Sequence, residues 1–202
     1  GSLEHGGGTW TPINGADELP GYGVTSGYYY LTNNITLTET WSINNGQNIV
    51  LCLNGYSITM NKDTSVITID YGTLTLCDCT GNGEITHGTD GSTKFNGSGV
   101  CVGGGTFNMY GGQITGNTST TSSGGGVSVT QGGKFHMYGG EISGNTSSGD
   151  GSGVSLASAG SFSMYGGVIS NNTSSSSNEG GGGVHVGAGT SFTMEGGTIS
   201  SN

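Results

Sequence analysis

Positively charged residues are scarce in this sequence. Among its 202 residues, lysine and arginine together number three, all of them lysine, while aspartate and glutamate number 13, so the formal net charge at pH 7 is −10. A surface so poor in cations repels nucleic-acid phosphates and anionic lipid headgroups. We therefore expect no nucleic-acid partner, and we expect an acidic polysaccharide to bind only if a divalent cation bridges the two.

Long apolar runs are also missing. No stretch approaches the roughly 18 apolar residues of a transmembrane helix, so membrane insertion is not expected. No secretory leader is visible, and because Gly1-Ser2 is typical of the scar of a cleaved tag, we expect a native leader to have been removed. The sequence stops at Asn202, within a repeat and without a polar cap, which predicts a monomeric segment of a longer chain.

A repeated motif organises the rest of the sequence. The pattern Phe-x-Met-x-Gly-Gly-x-Ile-x-x-Asn occurs four times, and successive phenylalanines are 28, 27 and 30 residues apart. A Val-x-Val or Val-x-Leu pair comes shortly before each copy. Self-similarity at such a period is the signature of a stacked repeat protein. The four copies are residues 107–117, 135–145, 162–172 and 192–202.

Each repeat contains three short apolar segments separated by glycine-rich corners. No segment keeps helical spacing over ten or more residues. Strands this short, with no helix to cover a face, predict an all-β fold: a single-stranded parallel β-helix, or solenoid, of about six coils with three short strands each. Residues 1–27 lack the periodicity and are expected to be the tag scar plus an N-terminal leader or cap. Residues 28–202 are expected to form the β-helix, truncated at its C-terminal end.

The repeat predicts columns of equivalent side chains along the β-helix. Phe135 is expected over Phe107, Val127 over Val100, and each repeat's Met, Ile and Asn over its counterpart. Earlier in the chain, Ile67 and Leu74 occupy the places that Val100 and Phe107 hold later. The recurring Asn is expected at a corner, where its amide can bond to the same amide in the next coil.

Four cysteines leave several interpretations open. Cys52 and Cys77 are 25 residues apart, close to one coil, so a disulfide between neighbouring coils is possible. Free cysteines, buried or half-exposed, are the other interpretation for these two and for Cys79 and Cys101. The Cys77-Asp78-Cys79 triplet is suggestive of metal, but the second pair that a zinc ribbon needs is missing, so no metal site is predicted.

Residue patterns typical of a catalytic site are weak in this sequence. A β-helix lyase needs an Arg or Lys base and usually calcium-binding acids, and a hydrolase needs two or three carboxylates on one sheet. Here arginine is absent and the carboxylates of the repeats do not recur at equivalent positions. We predict no catalytic residues, no cofactor and no enzymatic activity, with a polysaccharide lyase or hydrolase as the alternative. The histidines are expected at the surface, with His136 and His185 on different sheets.

A tyrosine follows the inward Met in three of the four repeats. Tyr110, Tyr138 and Tyr165 are therefore expected to point outward and to form an aromatic ladder with one ring per coil. Such a strip, beside hydroxyls and amides, could bind sugar rings, or its rings could stack on one another and only protect the strand edge. The Asn-Thr-Ser triplets at Asn117 and its counterparts match a glycosylation acceptor, but the repeat alone explains them.

Several stretches together resemble a known repeat family. They are 27–32 (Gly-Tyr-Tyr-Tyr-Leu-Thr), 50–58, 74–79 and the Gly-Gly-Gly-Val…Phe-x-Met units. Over 27–202 the chain resembles the glycine-rich, right-handed parallel β-helix regions of clostridia-like Gram-positive surface proteins. It is more loosely similar to the repeats of chlamydial polymorphic outer-membrane proteins.

The resemblance implies a secreted protein displayed on the cell wall. In that setting the chain is expected to be a non-enzymatic segment of an adhesin, acting as a rigid stalk and as a binding surface for a glycan or a host surface protein. A purely structural spacer is the remaining alternative.

Overall fold

The computed structural model describes residues 9–120, 124–176 and 181–202. Within these ranges the chain forms β-strands, turns and one short 3-10 helix, Ala16–Glu18, and no α-helix. The strands stack as a parallel β-helix of about six coils, which confirms the predicted fold.

Three long parallel sheets run along the β-helix, and a typical coil gives one strand to each. Sheet A consists of Trp10–Ile13, Ser26–Leu31, Asn48–Cys52, Thr73–Cys77, Thr106–Met109, Lys134–Met137, Ser161–Met164 and Ser191–Met194. Sheet B consists of Ile35–Leu37, Ile58–Met60, Glu84–His87, Gln113–Thr115, Glu141–Ser143, Val168–Ser170 and Thr198–Ser200. Sheet C consists of Trp41–Ile43, Ile67–Asp70, Val100–Gly103, Val127–Thr130, Val154–Leu156 and Val184–Val186.

Two smaller elements lie outside these sheets. Sheet D is a parallel ladder of the two-residue strands Thr118–Ser119, Thr146–Ser147 and Thr173–Ser174. Each pair follows a corner Asn at the same place in its repeat and so falls into register with its counterparts. The polar excursion before the first regular repeat contains an antiparallel hairpin of Thr89–Asp90 and Thr93–Lys94.

The register of the strands confirms the predicted columns. Phe107 pairs with Phe135 in the next coil and with Leu74 in the previous one. Val100 likewise pairs with Val127 and with Ile67. The irregular first half of the chain and the regular second half therefore share one coil geometry.

Inward side chains form one continuous core. Phe107, Phe135 and Phe162 are at most 1% exposed, and their ring centroids are separated by 5.1 and 4.6 Å with the planes nearly parallel. Fully burying such a side chain stabilises the fold by about 1.5–3 kcal/mol. In the last described coil Met194 is 45% exposed because no further coil lies over it.

Asparagine side chains form a second buried column. The Nδ2 of Asn117 donates to Oδ1 of Asn145 at 2.9 Å, and the same bond joins Asn145 to Asn172 and Asn172 to Asn202. Asn117, Asn145 and Asn172 are 0% exposed. Their amide nitrogens are therefore inaccessible to a glycosylating enzyme in the folded protein, and the Asn-Thr-Ser triplets serve the corner and sheet D.

The segment before residue 28 takes part in the fold. Trp10–Ile13 pairs in parallel with Tyr28–Leu31, so sheet A begins within the segment that we predicted to be a leader or cap. Leu19 is 9% exposed and belongs to the core. The indole N–H of Trp41 donates to the carbonyl of Pro20 at 3.0 Å. These contacts hold the N-terminal segment against the first coils.

Glycine is required at the corner between sheets A and B. Gly140 has φ of +86°, and a Cβ there would lie 2.7 Å from the carbonyl oxygen of Gly112 in the coil before. Gly132 has a similar φ of +74° at another corner, but no atom lies within 4 Å of the position of its Cβ. The two positions thus separate the cost of the backbone conformation from the cost of crowding.

We expect Gly132→Ala to lower the free energy of unfolding by about 1–2 kcal/mol, the cost of the left-handed conformation alone. Gly140→Ala is expected to cost about 1–3 kcal/mol more, because its methyl group collides with backbone of the neighbouring coil. Urea unfolding followed by circular dichroism measures both. Equal losses for the two variants would contradict the close packing of the Gly-Gly corners.

Candidate functional site

The predicted tyrosine ladder lies at the edge of sheet A. Tyr110 follows Met109, whose side chain is fully buried, so the alternation of a strand turns the tyrosine outward. Tyr138 and Tyr165 follow buried methionines in the same way. The exposed fractions of the three tyrosines are 55%, 41% and 41%, in chain order. The outward orientation predicted from the sequence is what the structure shows.

The tyrosine rings stack face to face along the β-helix. The ring centroids of Tyr110 and Tyr138 are 4.4 Å apart at an interplanar angle of 11°, and those of Tyr138 and Tyr165 are 4.9 Å apart at 10°. Each face of the middle ring is thus covered by a neighbour. The ladder presents ring edges and phenol hydroxyls to solvent, and each terminal tyrosine has one ring face that no other tyrosine covers.

The surroundings of the ladder shift the pKa values of two side chains, Tyr138 and His136. Desolvation raises the pKa of Tyr138, and the neighbouring Tyr110 and Tyr165 add to this effect. Desolvation lowers the pKa of His136, with a further contribution from Lys134. The imidazole centroid of His136 lies 6.4 Å from that of Tyr138 and 6.5 Å from that of Tyr165. Both shifts favour the neutral forms of Tyr138 and His136.

A groove of about 270 Å³ lies beside the ladder. The repeat order Tyr-Gly-Gly-x places the glycines between the tyrosines of sheet A and the polar side chains that begin the strands of sheet B. These side chains form a column, since Gln113 pairs with Glu84 on one side and with Glu141 on the other. The groove is lined by Asp78, Gly81, Gly111, Gly112, Gln113, Gly140, Glu141 and Val168.

The two carboxylates of the groove have different surroundings. Asp78 accepts hydrogen bonds from the backbone N–H groups of Gly55 and Gly83, both at 2.8 Å, so it fixes the turns around it. Glu141 is half-buried at the start of its strand. Gln113 was not predicted as a site residue, and Glu141 was considered only as an isolated acid, although both lie directly before the inward Ile of their repeats.

One histidine contradicts the expectation of surface histidines. His87 is 3% exposed and takes the place of Met60 in the core column of sheet B. Its Nε2 lies 2.8 Å from the carbonyl oxygen of Thr64, and its Nδ1 lies 2.8 Å from Oδ1 of Asn117. His87 thus ends the asparagine column, and its hydrogen bonds offset the cost of burying a polar ring.

His136 and His185, the two histidines considered as metal ligands, lie on different sheets. His136 is on sheet A and His185 on sheet C, as predicted. His185 Nδ1 lies 3.8 Å from a carboxylate oxygen of Asp150. Within residues 9–120, 124–176 and 181–202, no three His, Cys, Asp or Glu side chains are arranged to hold a metal ion.

The cysteines of neighbouring coils do come together. Cys52 and Cys77 are partners in the register of sheet A, as their spacing suggested. The structure also brings Cys52 and Cys79 together, with the two Sγ atoms 2.7 Å apart. None of the four cysteines forms a disulfide in this structure.

No family model, curated protein or solved structure matches this chain. The function proposed below therefore depends on the fold and on the geometry described above. In the part of the chain that the structure describes, no helix is long and apolar enough to cross a membrane.

Proposed function

We propose that this chain is a non-enzymatic segment of a secreted bacterial adhesin displayed on the cell wall. It acts as a rigid stalk that also binds a ligand, a neutral glycan or a host surface protein, along the ladder of Tyr110, Tyr138 and Tyr165. The observation that carries the proposal is the exposed ladder beside a groove with a glycine floor and a polar wall.

The fold supports the mechanical part of the proposal. Every coil is joined to its neighbours by parallel strand pairing on three sides, and buried Phe and Asn columns continue through the repeats. Each repeat of such a solenoid contacts its neighbours in the same way, which favours a rigid rod. A rod of this kind can hold a binding surface away from the cell wall.

The chemistry of the groove supports a glycan as ligand. Sugar hydroxyls need several hydrogen-bonding partners, which the tyrosine hydroxyls, Gln113 and Glu141 offer, and the glycine floor leaves room for a ring. Because the protein has a net charge of −10 and the groove contains two carboxylates, it disfavours uronic-acid polymers. We therefore expect neutral or amino sugars.

A glycan array tests the binding surface. The triple variant Tyr110→Ala/Tyr138→Ala/Tyr165→Ala is expected to bind at least about tenfold more weakly than the unmodified chain, since each lost ring removes both contact area and a hydroxyl. The matching triple Tyr→Phe variant keeps the stack and loses only the hydroxyls, so an intermediate loss is expected.

The control is Tyr71→Ala, which removes a tyrosine that is 61% exposed and lies outside the ladder. Unchanged binding by the triple alanine variant would exclude the ladder as the site. If no glycan and no host-cell extract protein binds the unmodified chain, the spacer interpretation replaces the adhesin.

An enzyme of the polysaccharide hydrolase type is the second candidate. It is favoured by one observation, that Asp78 and Glu141 line the same groove. The hydrogen bonds that Asp78 receives from two backbone amides argue for a structural role instead. Release of reducing sugar from a bound glycan, abolished by Glu141→Gln, would establish the hydrolase and overturn the adhesin.

A further inference from the structure

Three thiols converge on one edge of sheet A, a feature that the proposed binding function does not use. Cys52 and Cys77 end neighbouring strands in register, and Cys79 follows two residues later, where the chain has left the strand. The turn brings Cys79 back towards Cys52, so that their Sγ atoms are 2.7 Å apart. Cys101, by contrast, lies on sheet C and pairs with Thr68 and Ser128.

The three thiols differ in exposure and in their contacts. Cys52 is buried, Cys77 is half-buried and Cys79 is exposed. The Cys77 Sγ atom lies 3.5 Å from the carbonyl oxygen of Leu51. A reagent in solution can therefore reach Cys79 first, while Cys52 is positioned directly behind it.

We infer that Cys52 and Cys79 are a redox-active pair that closes to a disulfide between neighbouring coils, with Cys79 as the sulfur that meets the oxidant. The sulfurs need to approach by less than 1 Å to reach the roughly 2.05 Å length of a disulfide bond. Cys77 stays a thiol in this scheme. The inference replaces the pairing of Cys52 with Cys77 suggested by the sequence, and it is independent of ligand binding.

The electrostatics of the cluster place its thiolate on Cys52. A hydrogen bond from Cys77, helped by a weaker one from Cys79, lowers the pKa of Cys52 to about 6 against the opposing effect of burial. The hydrogen bond to Cys52, together with burial, raises the pKa of Cys77. Burial and the bond to Cys52 raise the pKa of Cys79 to about 12. At neutral pH the Cys52 thiolate therefore lies 2.7 Å from the Cys79 thiol, where it can accept the Cys79 proton.

Oxidation by a small-molecule disulfide such as oxidised glutathione proceeds in two balanced steps. The Cys52 thiolate accepts the proton of Cys79 as Cys79 Sγ attacks one glutathione sulfur, which releases the other as a thiolate and leaves a mixed disulfide on Cys79. Cys52 then loses its proton to the released thiolate and attacks Cys79 Sγ, which expels the second glutathione thiolate. Two protein thiols are oxidised, and one glutathione disulfide is reduced to two glutathione molecules.

Peptide mapping of the whole chain tests the pairing. Cleavage before aspartate separates Cys77 from Cys79, because Asp78 lies between them, and gives the peptides 17–62, 70–77 and 78–89. After oxidation with glutathione disulfide and alkylation of free thiols, mass spectrometry without reduction should find 17–62 linked to 78–89. A link between 17–62 and 70–77 in its place, or four alkylated cysteines, would overturn the inference.

Two variants test the roles of the individual thiols. In Cys52→Ser the second step is blocked, so we expect glutathione to accumulate on peptide 78–89; its accumulation on 70–77 or 90–149 contradicts Cys79 as the attacking sulfur. Cys77→Ser is the matched control and should form the same 17–62 to 78–89 link in comparable yield. Loss of that link in Cys77→Ser would show that Cys77 is a partner in the exchange.

Discussion

Replacing Asn145 with alanine is expected to lower the free energy of unfolding by about 3–5 kcal/mol, because it interrupts a fully buried hydrogen-bond network. Asn145 Oδ1 accepts from both the backbone N–H and the side-chain Nδ2 of Asn117, at 3.0 and 2.9 Å. Its own Nδ2 donates to the carbonyl of Ile114 and to Oδ1 of Asn172, both at 2.9 Å. The substitution removes the acceptor of the buried Asn117 backbone N–H and the bonds to Ile114 and Asn172, so hydrogen bonds are lost to both neighbouring coils. An orphaned buried group costs about 1–3 kcal/mol.

Urea unfolding measures this loss, and Asn108→Ala is the matched control. Asn108 is in the same coil as Asn117 but points outward, and its side chain makes one long hydrogen bond, 3.3 Å to Thr75 Oγ1. Its replacement should cost no more than about 0.5 kcal/mol, as is usual for surface positions. If the two variants lose similar stability, the asparagine column does not contribute to folding in the way that its geometry implies.

The asparagine column also explains how the segments that follow the corners can vary so much between repeats. The segments that follow Asn117, Asn145 and Asn172 differ in length and composition. Because each Asn side chain bonds to backbone groups of the coil before it, the corner is defined before the variable segment begins. Sheet D extends this order by two residues per coil. Variation can therefore accumulate in these segments without a change in the register of the core.

The columns were predictable from the sequence because strand alternation and the repeat period reinforce one another. Inward and outward residues are separated by a period of two, and the same pattern returns one coil later, so Phe107, Phe135 and Phe162 had to coincide. His87 shows that residue type alone does not predict whether a side chain is buried. It lies two residues after Ile85, and that alternation indicated an inward position although its polarity favoured the surface.

The features that were missed lie where strands end. Cys79 is beyond the last paired residue of its strand, so neither alternation nor register fixes the direction of its side chain. The turn that returns it to Cys52 depends on Asp78 and the amides around it. The tyrosine ladder was predicted to face outward, yet whether its ring faces were open or stacked depended on side-chain torsions that no spacing encodes.

Removing the ring of Phe135 is expected to lower the free energy of unfolding about as much as Asn145→Ala does, but for a different physical reason. Phe135 is 0% exposed and lies between the rings of Phe107 and Phe162, with centroids 5.1 and 4.6 Å away. Phe135→Ala should cost about 3–5 kcal/mol, since it loses apolar burial, leaves a cavity and interrupts the stack on both sides. Phe135→Leu should recover most of this loss, because Leu74 occupies the equivalent place in an earlier coil.

The neighbouring His136→Ala is the control for Phe135→Ala, since His136 is on the same strand with its side chain on the outer face. It should leave stability within about 0.5 kcal/mol of the unmodified chain at pH 7.

The two variants should also differ in their pH dependence. Burying the His136 ring lowers its pKa, so protonation opposes folding below neutral pH and the ring contributes no such penalty above it. His136→Ala should therefore gain stability relative to the unmodified chain as the pH falls from 7 to 5, whereas Phe135→Ala should keep the same deficit at both values. A deficit in Phe135→Ala that changed with pH would show that the phenylalanine column acts through the titrating outer face as well as through the core.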